Sequence, residues 1–190
     1  MKGEMSLDIK IISDAQKGKA SAQSKIYDLY AGAMLGICVR YTGNLSDAED
    51  VLQEAFIKVF THISKYTFNT IPSFSAWIKK IMVNTALNHI RSNKKNKIFS
   101  DSNDIENTEV EEEVTVEDTE TKLSQRQLLE IIQNLPEGYR MVFNLYVFEN
   151  FTHKEIADSL EISVNTSKTQ LFKARKMLQG QINKITKNNC

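Results

Sequence analysis

The C-terminal part of the chain carries basic and hydrogen-bonding side chains in a pattern that suits DNA. Residues 162–190 contain six Lys or Arg residues and no Asp or Glu. Such a surface attracts phosphates, while amide and hydroxyl groups can hydrogen-bond base edges. If the residues after Ser163 are helical, one face of that helix carries the side chains Lys168, Thr169, Gln170, Lys173 and Lys176.

Two short helices with a tight turn between them are predicted to position this face. Thr152 and Glu155 have capping-box spacing, so the first helix should begin there. A break follows at Glu161, and Ser163 can cap the second helix. A basic outer face and a small residue at the crossing indicate a DNA-binding helix-turn-helix rather than a hairpin whose charges only keep it soluble. The inner sides are predicted to be Ile156, Ala157 and Leu160 in the first helix, and Ser167, Leu171, Ala174 and Leu178 in the second.

The formal net charge of zero hides a segregation of acids from bases. Ten Asp and Glu residues lie between Ser100 and Lys122, and the rest of the chain has 23 basic and 14 acidic residues. High charge with few large apolar groups is typical of a flexible linker. With only two prolines and seven glycines, helix is expected nearly everywhere else. The sequence therefore predicts an all-α fold of two small helical domains, residues 1–97 and 123–190, joined by a flexible acidic linker at 98–122.

Several function classes are disfavoured by what the sequence contains. Cys38 and Cys190 do not suggest a disulfide framework, and the three histidines lack metal-ligand spacing. We therefore expect no metal or cofactor and a reducing, cytoplasmic location. No signal-peptide pattern and no apolar run of membrane-spanning length is present, so no membrane insertion is expected. Without a Gly-rich phosphate loop or a nucleophile–base pair, an enzyme with a small-molecule substrate is the least favoured interpretation.

The N-terminal domain is predicted to begin with three helices. A short helix is expected at Ser6–Lys17, capped by its own first residue. A longer one, Ala20–Tyr41, has a broad apolar stripe. The third should run from Ser46 to about Ile63, because its first and fourth residues have capping-box spacing.

One face of that third helix is acidic. Asp47, Asp50 and Glu54 share it, with Gln53 beside them. A solvated surface favoured by the helix dipole is the ordinary explanation for such a face. However, residues 55–100 contain no Asp or Glu at all. This asymmetry favours a binding surface over a face that serves only solubility.

The acid-free span ends in a basic helix predicted at Phe74–Lys97, after a polar, aromatic-containing loop at Lys65–Ser73. Trp77 falls at helical spacing with the apolar residues and is interpreted as mainly structural. Amide side chains can hydrogen-bond bases, and basic ones can hold phosphates. The candidate DNA contacts on this helix are Lys79, Lys80, Asn84, Asn88 and Arg91.

Helices are predicted to resume near Leu123. Pro136-Glu137-Gly138 should break the chain before a further helix at Tyr139–Phe148. The first buried patch of this domain is expected to consist of Leu128, Leu129, Ile131, Ile132 and Leu135.

Segments in this order resemble the sigma factors of bacterial RNA polymerase. The core-polymerase-binding segment of that family resembles TGNLSDAEDVLQEAFIKVF, and the helices before it resemble AQKGKASAQSKIYDLYAGAMLGICVRYTG. The promoter −10 segment resembles PSFSAWIKKIMVNTALNHIRSNKK, and the −35 domain resembles LPEGYRMVFNLYVFENFTHKEIADSL followed by KARKML. With two domains and a short linker, the chain resembles the extracytoplasmic-function (ECF) group.

The resemblance implies a promoter-specificity subunit that binds core RNA polymerase and promoter DNA, and directs −10 melting and transcription initiation. It implies that the loop Lys65–Ser73 holds a flipped base, that the linker threads toward the RNA exit path, and that an anti-sigma factor is a further partner. Polymerase binding is implied for Asp47, Asp50, Gln53 and Glu54. Binding of the −10 element is implied for Lys79, Lys80, Asn84, Asn88 and Arg91. Binding of the −35 element is implied for Lys168, Thr169, Gln170, Phe172 and Lys173.

Two positions depart from the family pattern. Ser167 stands where the family usually has an apolar residue, and Gln170 stands where Arg is frequent. Because Gln suits adenine edges and Arg suits guanine, we expect less guanine dependence at the −35 position that faces Gln170.

The main alternative is a stand-alone dimeric helix-turn-helix regulator. Such a protein would bind a palindrome without polymerase. A dimerisation domain would not need the second basic, Asn-bearing helix at Phe74–Lys97, which disfavours this reading. A purely protein-binding helical adaptor would leave both basic faces unexplained.

Overall fold

The computed structural model describes residues 7–67, 70–96 and 124–188. In these residues the chain forms α-helices and one 3-10 turn, Ile63–Lys65, without a strand, which confirms the all-α prediction. Contacts divide the chain into two compact units, with the boundary between residues 99 and 100. The predicted linker at 98–122 lies outside the described residues. The helices are α1 (Ile9–Gln16), α2 (Ala20–Thr42), α3 (Leu45–His62), α4 (Ile71–Asn96), α5 (Gln125–Gln133), α6 (Glu137–Val147), α7 (His153–Leu160) and α8 (Val164–Asn188).

The N-terminal unit, α1 to α4, is built around the packing of α2 against α3 and α4. Burial raises the pKa of the Cys38 thiol to about 12, so this residue stays protonated and packs as a small apolar side chain. Trp77, interpreted from the sequence as mainly structural, is only half-buried. The fully buried side chains of this core include Ile26, Cys38 and Tyr41 of α2, Val51 and Val59 of α3, and Phe74, Ile78 and Met82 of α4.

The first helix begins later than predicted. Asp8 caps α1, because its Oδ1 accepts a hydrogen bond from the Lys10 N–H at 3.0 Å. The predicted cap, Ser6, lies outside the described residues. An aspartate at the N-cap satisfies an otherwise unpaired helix N–H, so a cap two residues after Ser6 suffices to define the start.

The third helix begins earlier than predicted, and the capping box proposed at Ser46 is wrong. Asn44 is the cap, and its Oδ1 accepts from the Asp47 N–H at 2.9 Å. Gly43 ends α2 in the left-handed conformation, with φ 82°, and the chain reverses into Asn44 at once. The turn is therefore complete before Ser46, which lies inside the helix.

The fourth helix begins at Ile71, three residues earlier than predicted. Thr70 Oγ1 accepts from the Ser73 N–H at 3.3 Å and so caps the helix. Pro72 fits in the first turn, where its missing N–H is not needed. The predicted loop Lys65–Ser73 is therefore shorter than expected.

The C-terminal unit, α5 to α8, encloses a second apolar core. Its cluster consists of Ile131, Ile132 and Leu135 with Ala174 and Leu178 of α8. The predicted burial of Leu128 is wrong, because it lies in the first turn of α5, ahead of the cluster, and is 40% exposed.

A buried arginine that the sequence did not indicate lies in the first turn of α6 and bonds back to the preceding connection. Arg140 donates hydrogen bonds from Nη1 to Gln133 O at 2.9 Å and Leu135 O at 3.0 Å. These bonds satisfy the carbonyl of the last residue of α5 and a carbonyl of the connection that follows it. Helix α6 begins at Glu137, so the predicted three-residue break is only the short connection up to Pro136.

Candidate functional site

The acidic face of α3 is presented as the sequence predicted. Asp50, Gln53 and Glu54 are exposed, and Asp47 is half-buried at the start of the helix. Asp47 also takes part in the cap, since its Oδ2 accepts from Asn44 Nδ2 at 2.9 Å. Asp50 therefore lies at the outer centre of the face.

A lysine joins this acidic face to α4. Lys58 Nζ lies 2.6 Å from Glu54 Oε1 and 3.3 Å from Thr85 Oγ1. Thr85 is a buried polar residue of α4, with 1% of its surface exposed. The charge of Glu54 is thus partly offset by Lys58, which makes Asp50 the stronger candidate for a charge contact with a partner.

Four of the five polar candidates on α4 form one stripe. Lys80, Asn84 and Asn88 are exposed, and the Arg91 guanidinium lies 3.5 Å from Asn88 Oδ1. With about 100° of rotation per residue, positions 80, 84, 88 and 91 point to the same side. Lys79 is half-buried and lies about 100° around the helix from this stripe.

The helix-turn-helix is confirmed in its geometry. Thr152 and Glu155 form the predicted capping box of α7, with Thr152 N–H donating to Glu155 Oε2 at 2.8 Å. That box lowers the pKa of the Glu155 carboxyl, because the backbone and hydroxyl of Thr152 both donate to it. Glu161 makes the turn with φ 56°, and Ser163 Oγ accepts from the Thr166 N–H at 2.9 Å.

The candidate −35 residues of α8 do not all face the same way. Thr169 lies opposite the buried inner side of the helix. Phe172 and Lys173 lie close to Thr169, on the same outer face. Lys168 lies on one flank, toward α7. Gln170 lies on the other flank, and its amide occupies the space where a side chain at position 138 would begin: Nε2 is 3.0 Å from the Cβ position that Gly138 lacks.

A polar and aromatic cluster joins α6, α7 and α8. His153 Nδ1 lies 2.9 Å from the Oγ of Ser167, which is fully buried. The His153 ring stacks on Tyr146 at 4.8 Å, and the Arg175 guanidinium lies over the Tyr146 ring at 5.6 Å. Burial lowers the pKa of His153, and the charges of Lys168 and Arg175 lower it further.

Sequence reasoning treated His153 as an isolated histidine and missed this cluster. The available signal was Ser167, a hydroxyl on an otherwise apolar inner side. Buried hydroxyls are nearly always hydrogen-bonded, so a partner on a facing helix could have been sought.

Comparison with known proteins gives the family. The chain matches the model of Sigma-70 region 2 over residues 26–96 and that of Sigma-70, region 4 over residues 125–178. It is 31% identical over 182 residues to "ECF RNA polymerase sigma factor SigW" of Bacillus subtilis (strain 168), covering 91% of this chain and 95% of that protein. The chain belongs to the ECF group of RNA polymerase sigma factors.

Two further likenesses involve sigma factors of other bacteria. The protein is 28% identical to "ECF RNA polymerase sigma-E factor" of Haemophilus influenzae (strain ATCC 51907 / DSM 11121 / KW20 / Rd), over 94% of this chain and 97% of that one. The solved structure of the sigma factor RpoE with the anti-sigma factor NepR from Bartonella quintana is similar over 84% of this chain and 96% of that one. Its identity is 17% and its TM-score is 0.49.

Membership in the family fixes the general activity of this sigma factor. It binds core RNA polymerase and promoter DNA through its region 2 and region 4 domains, and it directs transcription initiation. A stand-alone dimeric regulator is not favoured. The relatives of this chain are sigma factors, which are not enzymes in the catalytic sense. Among the helices of the described segments, none is both long and apolar enough to cross a membrane.

Proposed function

We propose that three surfaces of this sigma factor divide the work of initiation. The acidic face of α3 binds core polymerase, the stripe on α4 binds the −10 element, and the outer face of α8 binds the −35 element. The observation that carries the proposal is the pairing, within one compact unit, of an exposed acidic face on α3 and an exposed basic and amide stripe on α4. Opposite charge on adjoining helices suits a protein partner on one side and DNA on the other.

In the polymerase contact, Asp50 and Gln53 meet the partner directly, while Asp47 and Glu54 contribute from the ends of the face. Exposed acidic side chains attract a basic surface of the partner protein and set the orientation in which it docks. We place the partner surface on the clamp of the largest polymerase subunit, as the family resemblance implies.

In the −10 contact, Asn84 and Asn88 hydrogen-bond base edges, while Lys80 and Arg91 hold phosphates. Phosphate contacts fix the register, and base contacts supply the sequence preference. Lys79, from its own side of α4, holds a neighbouring phosphate.

In the −35 contact, Thr169, Phe172 and Lys173 enter the major groove, and Lys168 holds a phosphate on the flank. Gln170, whose amide lies beside Gly138, hydrogen-bonds one base of the −35 element. Only a few side chains reach the DNA, so the sigma factor alone binds weakly.

Polymerase holds the two DNA-binding units at one promoter. Joint binding raises the local concentration of the second unit once the first is bound. The acidic residues 98–122 are proposed to connect the two units and to pass toward the RNA exit path. We place the protein in the cytoplasm, where polymerase and promoter DNA are found, and propose an anti-sigma factor that covers the same surfaces.

Binding measurements on a promoter selected from a random library test this division. The chain alone should bind that promoter weakly, with strong dependence on salt, and addition of core polymerase should tighten binding by orders of magnitude. Tight binding of the chain alone to a palindrome, unchanged by core polymerase, would show that the surfaces serve a dimeric regulator instead.

A further inference from the structure

The recognition helix α8 contacts the start of α6 through the side chain of Gln170. Gln170 precedes Leu171 by one residue and Ala174 by four, and these two are 4% and 0% exposed, so Gln170 lies at the edge of the buried side. Its amide lies against Gly138, the second residue of α6. The amide atoms Nε2, Oε1 and Cδ are 3.0, 3.3 and 3.4 Å from the point where a Cβ of residue 138 would be. The amide therefore fills the space left open by the missing side chain.

The backbone at Gly138 does not itself require a glycine. Gly138 lies inside an α-helix and does not have a positive φ, unlike Gly18 and Gly43. At such a position alanine favours the helix more than glycine does, because the glycine backbone loses more freedom on folding. The close approach of Gln170 is what gives the missing Cβ a physical role.

Gly138 differs in this respect from other glycines in the helices of the described residues. Gly32 and Gly36 of α2 and Gly180 of α8 have nothing within 4 Å of the corresponding Cβ position. Alanine would fit at each of them without moving a neighbour. At residue 138 an added Cβ would force the Gln170 amide to move by a few tenths of an ångström.

The start of α6 is held firmly, so the Gln170 side chain and not the helix would have to move. Arg140 Nη1 donates to the carbonyls of Gln133 and Leu135, which ties the first turn of α6 to the end of α5 and the connection that follows it. Arg140 is 8% exposed, and Val142 of the same helix is fully buried. The Gln170 amide, by contrast, is the end of a flexible side chain on a half-buried residue.

An amide that is already positioned loses less freedom when it binds a base. A glutamine side chain has several rotatable bonds, and fixing them on binding costs conformational entropy. Contact with Gly138 restricts the Gln170 amide before DNA is bound. An amide has both a donor and an acceptor, which are the groups that pair with N7 and N6 of adenine. Because this pairing is directional, its strength depends on where the amide is held.

We propose that Gly138 is a positioning residue for base recognition by Gln170. The missing side chain at residue 138 sets where the amide lies, so a residue that precedes the helix-turn-helix helps to determine the preferred base. The proposal rests on the −35 role proposed above for Gln170. It extends the determinants of −35 specificity from α8 to the start of α6.

The test uses holoenzymes assembled with each variant and a promoter that the wild-type holoenzyme selects, with each −35 position changed in turn. In affinity measurements, Gln170→Ala should remove the base preference at one position and so identify it. Gly138→Ala should lower the preference at that same position about fivefold, because the amide is displaced from its base. In the Gln170→Ala background, Gly138→Ala should have no further effect. Gly180→Ala, the same change where no neighbour is displaced, should leave every preference unchanged.

The other outcomes separate the positioning role from base recognition. If Gln170→Ala relaxes one position and Gly138→Ala relaxes none, the role of Gly138 is overturned while base recognition by Gln170 stands. If Gln170→Ala relaxes no position, base recognition by Gln170 fails, and the role of Gly138 fails with it. An equal loss of affinity from Gly138→Ala on every promoter, with or without the Gln170 amide, would also overturn the positioning role.

A stability measurement accompanies the binding test. Because alanine suits a helix, Gly138→Ala should not lower the melting temperature of the full chain. If it does, Gly138→Ser, which adds the same Cβ, replaces it under the same criteria.

Discussion

His153 and Ser167 connect the two helices of the DNA-binding motif through a hydrogen bond of 2.9 Å. Ser167 is fully buried at the crossing of α7 and α8, and His153 begins α7. The bond therefore acts at the point where the angle of the recognition helix is set. It replaces the apolar contact that the family resemblance leads one to expect at position 167.

Ser167→Ala should destabilise the C-terminal unit by about 1 kcal/mol, because a buried hydrogen bond is lost while His153 can still reach solvent. Chemical denaturation of the full chain, followed by a probe in that unit, measures the loss. His153→Ala should have a similar effect, and the double variant should lose less than the sum of the two. Additive losses would mean that the two side chains do not act together.

The stability of the C-terminal unit should fall in mild acid because of His153. Its pKa is lowered in the folded state by burial and by Lys168 and Arg175. Above the unfolded value of about 6.5 the ring is neutral in both states, and the full stability is present. As the pH falls below that value, the unfolded chain binds a proton that the folded chain does not, and stability is lost down to the folded pKa.

Denaturation at a series of pH values measures this effect. His153→Gln, which keeps a hydrogen-bonding group without titrating in this range, is the control and should show a smaller dependence between pH 6.5 and the folded pKa of His153. An identical slope in both proteins would assign the pH dependence to other groups.

Lys80→Ala should weaken promoter binding by holoenzyme to a similar degree on all sequences, because a phosphate contact carries no base information. The slope of log affinity against log salt should decrease by about 1. Lys10→Ala, which removes an exposed charge from α1, is the matched control and should leave the slope unchanged. A base-specific effect of Lys80→Ala would reassign it from phosphate to direct readout.

Gln170→Arg should raise the preference for guanine at one position of the −35 element. Arg pairs with both acceptors of guanine, and a good bidentate contact discriminates by about 1–3 kcal/mol. Selection of −35 sequences by holoenzymes with either residue measures the change. Strong guanine preference in the wild type would contradict the role assigned to Gln170.

How much the sequence predicts depends on whether a feature is local. The capping box of Thr152 and Glu155 and the inner side from Ser167 to Leu178 are set by residues within a few turns, and both are confirmed. The cap at Ser46 was wrong because Asn44 competes for the same role two residues earlier.

Contacts between distant segments were beyond the reach of spacing rules. Gln16 donates hydrogen bonds to carbonyls 47 and 50 residues away. The position of the Gln170 amide beside Gly138 depends on how α8 packs against α6. Nothing in the local pattern at Gln16 distinguishes it from any exposed helix residue. The acidic face and the α4 stripe could be recognised because each follows from the spacing of residues within a single helix.

The polymerase-binding role of the acidic face is tested most directly by the affinity of the full chain for core RNA polymerase after Asp50→Lys. We expect this affinity to fall at least about tenfold, with the melting temperature unchanged, because a charge at the centre of the docking face is reversed. Asp28→Lys, the same charge reversal at an exposed position of α2, should bind core as the wild type does. Unchanged core binding by Asp50→Lys would contradict the claim that the acidic face of α3 is the polymerase-binding surface.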